Sequence, residues 1–126
     1  MPVPILKLGE VLIASLHSTL SDADWRELQD DLLEKVGRMR ARGVVVDITA
    51  VDVLDSFATR VLRGMVDAIR LRGANTVIVG MQPDVAFTMV RLGMTARLEG
   101  VDTALDLEEG MELLRRRRLR GGACAR

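Results

Sequence analysis

The run Val44-Val45-Val46-Asp47-Ile48 constrains this chain more than any other feature. It is too short for a stable helix and too apolar for a solvated edge. It reads as a central strand buried on both faces. Such a strand needs neighbours on each side and helices above and below it.

The flanking segments supply them. Before it, Ser21-Asp22-Ala23-Asp24 gives a capping-box start, with Ser21 as cap and Asp24 three residues on. Trp25, Leu28, Leu32, Val36 and Met39 follow at three- and four-residue spacing, which predicts an amphipathic helix of about five turns. Gly43 is expected to end it as a left-handed C-cap. After the strand, a second helix is expected from about Ser56 to Arg72, closed by Gly73. Thr76 to Val79 reads as another buried strand. Pro83 is well placed at the first position of a third helix that ends at Leu92-Gly93. A weaker strand lies near Thr103 to Leu105, and Asp106 with Glu109 caps a last helix running through Leu113-Leu114 into the arginine run. At the start of the chain, Val3 to Leu8 and Val11 to Leu16 are parted by Gly9-Glu10 and read as a hairpin.

The order β-β-α-β-α-β-α-β-α argues for an α/β fold. We expect a mixed, mainly parallel sheet of about five strands with an opening hairpin, packed with about four helices. The 126 residues fit one domain, taken as 1–114, followed by a basic, flexible tail over 115–126.

Charge patterning excludes several functions. The last twelve residues hold six arginines and no acid, leaving twelve basic against eighteen acidic residues in the rest. An acidic body is unlike a phosphate-backbone binder, and two Phe, one Trp and no Tyr leave no base-stacking platform. No nucleic-acid partner is therefore expected. No apolar run approaches the ~20 residues that span a membrane, and no signal peptide is visible. The single cysteine, Cys124, excludes an intrachain disulfide and fits a reducing cytoplasm. No glycine-rich phosphate loop follows a strand. His17 is the only histidine, so a triad or a His/Cys metal site would depend on it alone, and it reads as a loop or edge residue. Neither cofactor nor metal nor catalytic activity is expected.

Ser56 is the position with most chemical scope. On a 100° helical projection Phe57, Ala58, Val61, Leu62, Met65, Val66 and Ile69 share one side of the second helix. Thr59, Arg60, Arg63, Asp67 and Arg70 fall on the other, with Ser56 near its middle. Together with Asp55, residues Thr59, Arg60 and Arg63 form the expected partner-facing surface. The turn lies at the carboxyl edge of a parallel strand, where ligands and partners meet open α/β sheets. Ser56 has two compatible uses there. As an N-cap it contributes about 1 kcal/mol. As a phosphoserine it would place about −1.5 to −2 charges at a helix end whose amides accept anions.

Two motifs carry a resemblance. Asp47-Ile48-Thr49-Ala50 precedes Val53-Leu54-Asp55-Ser56-Phe57, and Gly80-Met81-Gln82-Pro83 precedes Ala86, Thr88, Leu92 and Gly93. With the element order, these resemble the STAS domain of anti-sigma-factor antagonists, in its stressosome-antagonist form, over almost all of the chain to Leu114. The resemblance implies a bacterial, cytoplasmic, non-enzymatic partner switch in general stress signalling. It implies that the unmodified protein sequesters a serine/threonine switch kinase of the histidine-kinase-like ATPase type. Phosphorylation releases that kinase, and a PP2C-type phosphatase resets the site. The family's target serine maps onto Ser56. A second threonine site of related scaffolds maps onto Thr88, which falls at the edge of the polar face of its helix, near Asp84 and Arg91. Other implied partners are sensor-bearing STAS co-antagonists and further copies of this chain, as a dimer within a large assembly. The first strand begins near Val3, which leaves no room for a sensor domain of its own.

Conventional anti-anti-sigma factors, the alternative reading, carry Asp-Ser-Ser-Gly at the switch, where this chain has Asp55-Ser56-Phe57-Ala58. A phospho-aspartate receiver built on Asp47 would need a late lysine, and the lysines here are Lys7 and Lys35. The arginine run at Arg115 to Arg118 complements a helix C-terminus. Its other use is contact with an acidic surface, another copy of this chain included.

Overall fold

The computed structural model describes residues 3–17 and 20–124, with side-chain surroundings through Arg117. Strands β1 (Ile5–Leu8) and β2 (Val11–Ser15) form the opening hairpin, turning at Gly9 with φ 62°. Then follow α1 (Asp22–Met39), β3 (Gly43–Asp47), α2 (Ser56–Leu71), β4 (Asn75–Val79) and α3 (Pro83–Arg91). A 3-10 turn, η1 (Thr95–Leu98), leads to β5 (Asp102–Ala104) and α4 (Leu107–Cys124). The five strands form one sheet in the order β1-β2-β3-β4-β5, with β1 antiparallel and the others mutually parallel. This is the expected α/β architecture.

Register makes β3 the centre. Val44 lies beside Leu12 and Thr76, and Val45 beside Ile13 and Val77. Alternation then sends Val44 and Val46 into one cluster and Val45 into another. The larger cluster takes Trp25, Leu28, Leu32 and Val36 from α1, Ala58, Leu62, Met65 and Ile69 from α2, and Val85 and Met89 from α3. The smaller one lies under α4 and joins Ile13, Val45, Val77 and Val79 to Leu114. Each fully buried Leu or Ile contributes roughly 1.5–3 kcal/mol, so burial on both faces fixes the strands in register. Gly110 permits the close approach of α4: a Cβ there would stand 2.7 Å from Val79 Cγ1.

Local starts and stops follow the sequence closely, with one difference. The box at α1 forms: Asp24 N donates to Ser21 Oγ at 3.1 Å, and Ser21 N to Asp24 Oδ2 at 3.0 Å. The Ser21 amide, then its hydroxyl, hold the Asp24 carboxyl below its usual range. The expected Gly43 C-cap is not one. Arg40 takes the left-handed conformation (φ 52°) and ends α1, while Gly43 begins β3, with Leu114 Cδ1 3.0 Å from where its Cβ would be. Three residues of loop had to fit between helix and strand, and the buried strand start left no space for a side chain at Gly43.

Helix α4 runs through Leu114 into the arginine run, as the sequence predicts, and carries Arg115, Arg116 and Arg117. Arg115 pairs with Glu112 at 2.6 Å, and Arg117 takes both oxygens of Asp102 at 2.8 and 3.0 Å. These pairs lower the Glu112 carboxyl and raise both guanidinium groups. The side chains from Arg118 onward, Cys124 among them, lie outside the described residues, as do Ser18 and Thr19 after His17.

Candidate functional site

The carboxyl edge of β3 and β4 is assembled by the two motifs, which meet in space. Asp47 closes β3, and its Oδ1 accepts from Thr49 N at 2.9 Å and from Thr49 Oγ1 at 2.6 Å. Opposite it, Gly80 leaves β4 at φ 77°, and a Cβ there would lie 2.0 Å from Thr49 Oγ1. Only glycine fits a left-handed position pressed against a neighbouring loop. Gln82 then reaches back and donates from Nε2 to the Thr49 carbonyl at 2.7 Å. The same nitrogen lies 3.4 Å from Asp52 Oδ1. The loop before α2 is thus tied to the loop before α3.

That loop is also anchored by Val51 and Leu54, which are buried, while Asp52 and Val53 point outward. It delivers Asp55 as the N-cap of α2. Asp55 Oδ1 accepts from Ala58 N at 2.8 Å. Capping therefore belongs to Asp55, and the expected cap role of Ser56 is corrected: Ser56 is the first residue of the helix proper. Its side chain is exposed, as the helical projection predicts. Its hydroxyl is not idle. Arg97, on η1, donates from Nη1 to Ser56 Oγ at 2.7 Å and to the Ser56 carbonyl at 3.0 Å.

The remaining expected surface residues divide. Arg60 is exposed, one turn beyond Ser56. Thr59 is not on the surface at all: it is fully buried, and its hydroxyl donates to the Asp55 carbonyl at 2.8 Å. The reason is positional. Thr59 lies three and seven residues before Leu62 and Val66, hence on the core side, and a backbone acceptor one turn back satisfies its polar atom. Arg63 is half-buried and committed within the chain, to Asp67 at 3.2 Å and to the Glu99 carbonyl. Thr88 is exposed on α3, with no hydrogen bond or ion pair joining it to Ser56 among the described residues.

Apolar surface surrounds this edge. Val53 is 71% exposed beside Asp55, and Phe87 and Val90 are 70% and 63% exposed on α3. Phe57, next to Ser56, is half-buried under Arg26, whose guanidinium sits 5.5 Å from the ring centre. A cavity of about 160 Å³ lies behind Asp55, walled by His17, Trp25 and Val53. Exposed apolar groups of this kind, rimmed by charge, suit a protein partner better than a small substrate. Among the described residues no three His, Cys, Asp or Glu side chains are grouped to hold a metal ion. No described helix is long and apolar enough to cross a membrane.

Sequence reasoning missed Arg97 and Gln82. Gln82 stood inside a recognised motif, but its bond to Thr49 spans 33 residues. Arg97 lies 41 residues from Ser56, on a four-residue turn with no buried side chain and so no periodic signal.

Comparison with known proteins places this geometry. The STAS domain model matches residues 3–109. The chain is 33% identical to a serine-to-glutamate variant of RsbS from Moorella thermoacetica, with a TM-score of 0.77, covering 90% of this chain and 95% of that one. A chain from a structure described as the molecular architecture of the stressosome, a signal integration and transduction hub, is 34% identical, with a TM-score of 0.76, covering 90% and 96%. The RsbT co-antagonist protein RsbRA of Bacillus subtilis is 28% identical over 113 residues, which is 89% of this chain. The chain spans 40% of the length of that curated relative.

Proposed function

This chain belongs to the STAS domain family, and from that premise we propose that it is a stressosome scaffold and antagonist, switched at Ser56. In the unmodified state it holds a serine/threonine kinase of the histidine-kinase-like ATPase type. The kinase transfers the γ-phosphoryl group of ATP to Ser56 Oγ. The new O–P bond replaces the bond to ADP, and the hydroxyl proton passes to a base of the kinase. A PP2C-type phosphatase reverses this with water. The chain itself does no chemistry. Sensor-bearing STAS co-antagonists and further copies of this chain complete the assembly.

The observation that carries this reading is the placement of Ser56. It is exposed at the first position of a helix that another residue, Asp55, already caps. Phosphorylation can therefore change charge and bulk without removing the cap. The added anion sits where helix amides and dipole tolerate it, so α2 stays folded. The partner meets a new dianion beside Asp55 and the apolar Val53, and loses its fit. The similarity to RsbS and to a stressosome chain supports the choice of partner class.

The test is a pull-down with the cognate kinase using Ser56→Ala and Ser56→Asp. Ala is expected to retain the kinase and Asp to weaken it by tenfold or more, about 1.4 kcal/mol. Equal retention by both variants would overturn the switch.

A further inference from the structure

Arg97 stands out among residues that the proposed function leaves unused. It is half-buried on η1, far from Ser56 in sequence. Yet its Nη1 donates to both the hydroxyl and the carbonyl of Ser56. The turn that carries it is fixed at both ends. Met94 is buried and its amide donates to the Met89 carbonyl at 2.8 Å, and Arg63 clamps the Glu99 carbonyl. The guanidinium is thus held over the modification site by structure already present before any phosphate arrives.

Building on the reading of Ser56 as the phosphorylated residue, we propose that Arg97 is the phosphate-holding residue of this site, a guanidinium pre-set to pair with a phosphomonoester on Ser56. A guanidinium carries five donors in a planar fork. Ser56 engages only Nη1, and Nε and Nη2 take no acceptor among the described residues. A phosphoserine presents three acceptor oxygens and about −1.5 to −2 charges, and such groups pair with arginine through two parallel bonds.

Competing cations are few. Arg63 is spent on Asp67 and the Glu99 carbonyl. Arg60 is exposed one turn along the helix. Asp55, the near anion, gives Oδ1 to Ala58 N and adds repulsion that a facing cation must offset. Capture of the phosphate by Arg97 fastens η1 to the start of α2. The partner then meets a braced, partly neutralised phosphate instead of a free one.

The experiment needs no kinase. The full chain is produced with phosphoserine encoded at position 56, alone and with Arg97→Gln or Arg97→Lys. Titration of the ³¹P resonance reads the second ionisation of the phosphate, near 6 when unperturbed. Pairing with Arg97 is expected to lower it by about one unit, a tenfold shift towards the dianion. Gln is expected to abolish that shift and Lys to keep part of it, with unchanged far-UV circular dichroism in each. Identical titrations of the parent and the Gln variant would overturn the proposal. Amide exchange gives a second reading: phosphorylation is expected to protect Arg97 and Leu98 amides in the parent but not in the Gln variant, and equal protection in both counts against it. These outcomes are separate from the switch itself, because a kinase indifferent to Ser56 leaves the titration unchanged.

Discussion

The Asp55 carboxylate takes the Ala58 amide at 2.8 Å, and that bond closes the start of α2 without help from its neighbour. The division of labour has a thermodynamic consequence. Asp55→Ala removes a side-chain cap and is expected to cost about 1 kcal/mol of unfolding free energy in urea. Ser56→Ala removes a hydroxyl whose partner, Arg97, stays bonded to the Ser56 carbonyl and is half-exposed, so its expected cost is below about 0.5 kcal/mol. Equal losses would mean that Ser56 shares the capping role. Much of this residue-scale arrangement was legible beforehand: exposure of Ser56, the acid beside it and the position at a strand's carboxyl edge. What was not legible was which of two adjacent cap-forming residues takes the cap. Asp and Ser are near-equal in preference, and the choice turns on where the loop from Asp47, pinned by Gln82, hands the chain to the helix. Thr59 was misplaced because a polar side chain was weighted above its register with Leu62 and Val66.

At the scale of elements, the long periodic helices and the buried strands announced themselves, because burial on a fixed face leaves a period in the sequence. The turn η1 left none. It is four residues long, buries no side chain, and its positions depend on Arg63 and Arg97 reaching across from or to α2. The C-cap at Arg40 was hidden for a related reason: Gly43 was needed beneath Leu114, a contact made only once α4 docks. Strand β4 carries an element-scale oddity. Thr76 is 7% exposed, faces the side of Val44 and leaves its Oγ1 without a hydrogen-bond partner. A buried unsatisfied hydroxyl costs about 1–3 kcal/mol. Thr76→Val keeps the branched shape that suits a strand and deletes the orphan atom. It is expected to raise the unfolding free energy by about 1 kcal/mol, measured as a higher urea midpoint at unchanged slope. A lower midpoint would reveal a partner for that oxygen.

For the whole molecule, the decisive feature is that β2, β3 and β4 are shared by two apolar clusters on opposite faces. Neither cluster can be lost while the other keeps its strands, so the domain is expected to unfold in one step. The chain offers a direct test. Its one tryptophan, Trp25, is buried on α1, in the cluster away from α4. Gly110, on α4, has no such link to Trp25. A methyl group at Gly110 meets Val79 Cγ1 at 2.7 Å and Val77 Cγ1 at 3.3 Å, inside contact distance, and must push α4 off the sheet. Overpacking of this kind costs about 1–3 kcal/mol. Replacing a helical glycine by alanine returns about 1 kcal/mol, so Gly110→Ala is expected to destabilise by about 1 kcal/mol net. If the two faces are one cooperative unit, Trp25 fluorescence and far-UV circular dichroism will report the same lowered urea midpoint. If α4 detaches on its own, circular dichroism will show an early loss while the Trp25 transition stays where it was. That second outcome would show that α4 stands outside the cooperative unit that holds the Ser56 edge.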